Sequence, residues 1–223
     1  MILWPATIIC LGLGPVDLLG LKETSPGARL PAGWEIQPVK NVAPPLISVH
    51  ASDSAPVLRI EGAGTAAWLH RSFRLEAGSG GGRLRWSWRV LETPANADLR
   101  RKDRDDSAIR LFVIFGNPRG LFTKSGRIIF YSTGGQEPPD FAGRSHVSGR
   151  IQIIRTVGAD RLGEWVELEV DPEEDYRRLW GRNAPSITAV GLMQDTDQTG
   201  TRAIAEVRRI EWVSDGAMPV PSG

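Results

Sequence analysis

The chain is poor in cysteine, histidine and net charge, and each shortage closes a class of protein. One cysteine in 223 residues, Cys10, leaves no intrachain disulfide to staple a small scaffold. The three histidines, His50, His70 and His146, have no metal-ligand spacing, which sets a zinc centre aside. Lys plus Arg number 27 against 26 Asp plus Glu, a formal net charge of +1. That is none of the basic excess with which proteins neutralise phosphates, so no nucleic-acid partner is expected. A membrane span is missing too: Pro5, Pro15 and Asp17 interrupt the apolar residues 1–21, where about twenty unbroken residues are needed. Those residues also lack the Lys or Arg that opens an export signal, the first being Lys22. They read as a signal remnant or a docked strand. No P-loop, G-x-S-x-G elbow or H-E-x-x-H occurs. Gly62 to Ala67 matches G-x-G-x-x-A, but a strand pattern follows where a dinucleotide fold needs a helix.

What is abundant is turn chemistry. The 25 Gly and 16 Pro accompany 41% hydrophobic residues, so the turns serve a real core. PVLRI at 56–60, AWLHRSFRL at 67–75 and RLRWSWRV at 83–90 alternate with period two, as half-buried strands do. SAIRLFVIF at 107–115 is nearly continuous, the pattern of a central strand. Further strands are expected at 127–132, 150–157, 165–170, 187–194 and 203–213, with the glycines of 78–82 as a hairpin turn. One segment departs from this period. DPEEDYRRLWG at 171–181 has an Asp cap, Pro at the first position, acids then bases along the dipole, and a terminating Gly. Tyr176, Leu179 and Trp180 give it an apolar stripe. The expectation is an all-β, jelly-roll-like β-sandwich of two antiparallel sheets with one short helix over about 171–180. The sandwich domain takes 33–215, preceded by a linker at 22–32 and followed by a disordered tail at 216–223.

WSWRV at 86–90, KDRDDSAIRLFV at 102–113, LGEW at 162–165, DYRRLWG at 175–181 and AVGLMQDTDQTG at 189–200 occur in that order. Together they resemble the bacterial family catalogued as domain of unknown function 3047, over roughly Trp34 to Val213. The resemblance implies a single β-sandwich, often in exported proteins, and hence a periplasmic or secreted location. It supplies no established activity and so no catalytic residue. The uncharged N-terminus departs from the export pattern.

Three constellations carry chemistry. Asp195, Asp197, Thr199, Gly200 and Glu206 follow the calcium loop D-x-[DN]-x-[DN]-G-x5-E, with Thr199 in place of Asp or Asn. The competing reading is a β-hairpin turn in which the two Asp side chains accept backbone N–H groups. Asp105 and Asp106 stand at the mouth of 107–115, where Arg110, if buried, needs a carboxylate partner. If Arg85, Arg89 and Arg110 share a face, they form a basic floor for an acidic sugar or phosphate-bearing glycan; otherwise they pair with neighbouring acids. The eight Trp against two Tyr suit either a core or stacking on sugar rings. Trp86 and Trp88 are assigned to the core, and Trp68 and Trp165 to a rim.

These features point first to a non-catalytic module for a glycan or other small polar ligand, with calcium as a possible cofactor. A glycan-cleaving enzyme drawing its carboxylates from Asp105, Asp106, Asp195 and Asp197 is the alternative. A structural, partner-binding domain is the third reading.

Overall fold

A computed structural model describes residues 14–52, 55–77, 81–117, 126–157 and 161–214. Six strands form one sheet in the order β11 (Val166–Val170), β6 (Gly82–Glu92), β13 (Arg202–Ser214), β4 (Val57–Ala63) and β3 (Leu46–His50), with β1 (Val16–Asp17) also on β13. Seven form the other: β2 (Glu35–Pro38), β5 (Ala66–Leu75), β12 (Ile187–Asp195), β7 (Ser107–Phe115), β8 (Arg127–Ser132), β10 (Ile151–Arg155) and β9 (Ala142–Arg144). Pairing is antiparallel except between β8 and β10. Among the described residues the chain is mostly β, two sheets with one α-helix, as the alternating segments and the capped 171–181 segment predict.

Period-two alternation decides which side chains meet between the sheets. Leu111, Val113 and Phe115 of β7 join the inner core with Trp86 and Trp88 of β6 and Val207, Ile210 and Trp212 of β13. Ring contacts tie the layers together: Trp86 lies 5.5 Å from Tyr131 of β8, and Phe73 of β5 lies 5.6 Å from Trp212. The other face of β7 carries Phe112 and Ile114, which pack with Phe130, Ile151 and Met193 in a second cluster. β7 is therefore buried along its whole length, as its unbroken apolar run implies.

The helix α1 (Pro172–Trp180) forms where its capping signals stand. The Asp171 carboxylate accepts the Glu174 N–H at 2.9 Å, and Gly181 closes the helix at φ 66°. Tyr176 is buried 4.8 Å from Phe115, and Tyr131 donates its hydroxyl to Asp175 at 2.9 Å.

Chain connections depart from the expected turns in two places. β5 and β6 lie in different sheets, so they are not the two arms of a hairpin; residues 78–80 of the expected turn lie outside the described residues. The segment between β12 and β13 crosses from one sheet to the other. Alternation reports the exposed face of a strand but not its neighbour, which is why both read as hairpins. At the N-terminal side, β1 pairs with β13 while Leu18, Leu19 and Leu21 are buried. Within residues 22–32, Gly27 N–H donates to Val49 C=O, and Val49 N–H donates to Ala28 C=O, both at 2.7 Å. Cys10 and the tail at 216–223 lie outside the described residues. Among the described residues, no helix is long and apolar enough to cross a membrane.

Candidate functional site

The outer face of the seven-stranded sheet holds a cleft of about 320 Å³. Its apolar surface comes from Trp68 of β5, Phe130 of β8, Ile151 of β10, Met193 of β12 and Val147. Asp105, Arg110 and Asp195 supply its polar groups, and Lys102, Ser145, His146 and Gln198 also line it. The register brings these strands together: Met193 pairs with both Trp68 and Arg110, and Arg110 with Ser132.

Arg110 is the buried centre of this face, 3% exposed. Its Nη2 donates to Asp105 Oδ1 at 2.8 Å and to the Asp105 carbonyl at 2.9 Å. Its Nη1 lies 3.6 Å from Asp195 Oδ2, and the guanidinium sits 5.4 Å above the Phe130 ring. Two carboxylates and an aromatic face thus replace the water that Arg110 gave up. Burial pushes the Asp105 carboxyl up, against the pull of Arg110. Burial also pushes Asp195 up to about 8, opposed by Arg110 and reinforced by Asp197 and Asp106.

Trp68 is half-buried. Its ring meets Phe112 edge-on at 5.2 Å and Phe130 at 5.2 Å, leaving the rest of the indole to line the cleft. Trp165 stands elsewhere, with the guanidiniums of Arg89 at 4.8 Å and Arg208 at 4.5 Å over its ring, both arginines being on the six-stranded sheet. Arg85 and Arg89 are on that sheet as well, so the shared basic floor with Arg110 does not form. Arg85 pairs with Glu169, and Arg89 donates to Glu206 at 2.6 Å. Their outward face is a lattice of ion pairs, the solvated surface that competed with the ligand reading.

The calcium-loop residues separate in a similar way. Glu206 accepts from Arg89 and, at 3.3 Å, from Arg59, and the Thr199 hydroxyl pairs with Thr201 at 2.9 Å. Asp195 and Asp197 instead meet Asp106, with one oxygen of each within 4.8 Å of the others. The turn reading also needs amendment. Asp106 accepts the loop N–H groups, from Gln198 at 3.2 Å and Thr199 at 2.7 Å, while Asp195 Oδ1 and Asp197 Oδ1 have no hydrogen-bond partner. Gly200 takes the positive φ expected of it, 67°.

Sequence reasoning did not single out Phe130, Met193, Lys102, Ser145, His146 or Gln198. For Phe130 and Met193 a signal existed: strands apolar on both faces must have their outer face covered or lining a cleft. The polar residues come from segments whose approach to the cleft has no local pattern.

No curated protein matches the chain in sequence. Among solved structures, the family 11 carbohydrate-binding module of the cellulosomal cellulase Lic26A-Cel5E of Clostridium thermocellum is similar at a TM-score of 0.50 and 9% identity, covering 91% of this chain and 95% of that one. The family 11 module from Clostridium thermocellum in complex with a β-1,3-1,4-mixed-linked tetrasaccharide gives 0.45 and 8%, over 92% and 97%. The xyloglucanase domain of NopAA from Sinorhizobium fredii, in complex with cellobiose, gives 0.46 and 9%, over 92% and 100%. At such identities the likeness is one of fold. Residues 32–211 match the family described as protein of unknown function (DUF3047), and with most of its length inside that match the chain belongs to it.

Proposed function

We propose that the protein is a non-catalytic glycan-binding module whose cleft on the seven-stranded sheet takes a neutral sugar chain. The observation that carries this reading is the half-buried Trp68 indole beside the Arg110–Asp105 pair in one cleft. An aromatic face for sugar C–H groups next to fixed hydrogen-bonding groups is the chemistry that carbohydrate binding requires. A cleft of about 320 Å³ is at the small end of the roughly 300–1,000 Å³ of ligand sites, which suits a short stretch of chain. Neutral sugars are favoured because the charge of Arg110 is already paired with Asp105 and lies near Asp195, leaving no free basic floor for an acidic one. The family 11 module at TM-score 0.50 adds support at the level of fold. The reading goes with a periplasmic or secreted location, where polysaccharides are met.

One observation favours the catalytic alternative: Asp105 and Asp195 both line the cleft, and burial raises both. Release of reducing ends from a bound glycan would assign that role.

Affinity electrophoresis in mixed-linkage glucan, xyloglucan, galactan and polygalacturonate tests the proposal. A neutral glycan should retard the protein. Trp68→Ala should weaken binding by about 2 kcal/mol, roughly 30-fold, as expected for a central aromatic anchor, and Trp165→Ala should leave it unchanged. Retardation by none of the four, or loss in Trp165→Ala alone, would contradict the reading.

A further inference from the structure

Asp106, Asp195 and Asp197 come from two stretches of chain that meet beside the cleft. Asp106 precedes β7, Asp195 ends β12, and Asp197 lies in the following loop. One oxygen from each lies within 4.8 Å of the other two. Asp106 is 1% exposed and Asp195 8% exposed. Among the described residues, the one cation paired with any of the three is Arg110, 3.6 Å from Asp195 and already held by Asp105. Gathering three carboxylates where two of them are largely closed to water is costly unless a cation or a proton enters.

The oxygens show where a cation would be held. Asp195 Oδ1 and Asp197 Oδ1 are shielded from solvent and have no hydrogen-bond partner. Buried carboxylate oxygens are seldom left so, and a cation is one of their ordinary partners. Asp106 is fixed by the Gln198 and Thr199 N–H groups, each oxygen retaining lone pairs for a metal. All three ligands are hard oxygens. Calcium binds oxygen at about 2.3–2.6 Å, so oxygens across one ion stand up to roughly 5 Å apart, a span that accommodates the observed separations.

We propose that Asp106, Asp195 and Asp197 form a calcium site at the edge of the cleft. This set differs from the loop read along the sequence, sharing Asp195 and Asp197 but replacing Thr199 and Glu206 with Asp106. The ion would tie the loop before β7 to the loop after β12 and so fix Gln198, which lines the cleft. The site does not depend on the glycan reading, since calcium is assayed with no sugar present and either can fail alone.

The test uses the full chain, stripped with chelator and then unfolded thermally with and without calcium. At about a hundred times the dissociation constant, calcium should raise Tm by roughly 5–10 °C for a chain of this size. The increment should be lost in Asp197→Asn, which keeps the side chain's size and removes its charge, and should persist in Glu206→Gln. Tryptophan-sensitised terbium emission, displaced by calcium, gives a second readout that does not rely on stability. It should appear in the wild type and fall at least tenfold in Asp197→Asn. No calcium increment together with no displaceable terbium emission in the wild type would overturn the proposal. So would an increment abolished by Glu206→Gln and retained in Asp197→Asn.

Discussion

Arg110 shows how one buried charge organises its surroundings. An arginine in an apolar strand has to find a carboxylate, and Asp105 is within reach because the chain enters β7 just before it. Arg110→Ala would leave Asp105 desolvated and unpaired, with an expected loss of about 3–5 kcal/mol. The double variant Arg110→Met with Asp105→Leu should recover much of that loss, because the burial penalty goes with the pair. Urea unfolding checks both; losses that simply add would contradict the coupling. A second carboxylate carries a pH signature. Asp98 accepts from Arg100 Nε at 2.8 Å and Nη2 at 2.7 Å, and the guanidinium holds its carboxyl below the ordinary 3.8. A carboxyl lowered in the folded state adds stability above its unfolded value and loses it as pH falls through the folded one. Asp98→Asn should therefore destabilise at pH 7 by a small amount, since the Arg100 side chain is 48% exposed. The difference from wild type should close below pH 3.8. An equal difference at both pH values would contradict this account. The need for an Arg110 partner was legible in the sequence. The meeting of Asp106 with the 195–199 loop was not, because it joins residues about ninety apart with no local pattern to announce it.

At the scale of elements, strands were legible wherever local burial imposes a period. β7 and β8 occupy 107–115 and 127–132, the spans their apolar runs mark, and α1 sits between its cap signals. β1, β2 and β9 are two to four residues long, too short for a period to show, and exist through their partners. The interior of β12 holds a requirement that alternation cannot reveal. A Cβ at Gly191 would stand 2.1 Å from Phe112 Cζ and 2.3 Å from the Leu69 carbonyl oxygen. The ring can turn, but the backbone of β5 cannot retreat without opening the sheet. Gly191→Ala is expected to cost about 1–3 kcal/mol, as overpacking does, and to disturb Phe112 beneath Trp68. Chemical denaturation checks the stability, and a change within experimental error would mean the strands separate more easily than this packing implies.

The whole molecule is asymmetric in a way that explains its candidate site. Outside the six-stranded sheet, arginines and carboxylates pair in rows, with two guanidiniums over the Trp165 ring. Outside the seven-stranded sheet, apolar rings floor a cleft and a few charges are buried within it. In sequence, Arg85, Arg89 and Arg110 share residue type and strand context. Only the assignment of β6 and β7 to different sheets separates a solvated lattice from a binding face. The central claim, that the Trp68 face binds a glycan, is tested most directly by following the indole N–H resonances of ¹⁵N-labelled protein during titration with an oligosaccharide of the retarding polymer. The Trp68 resonance should move saturably while that of Trp165 stays in place. A saturable shift of Trp165 with Trp68 unmoved, or no indole shift at ligand concentrations that retard the protein in a gel, would contradict it.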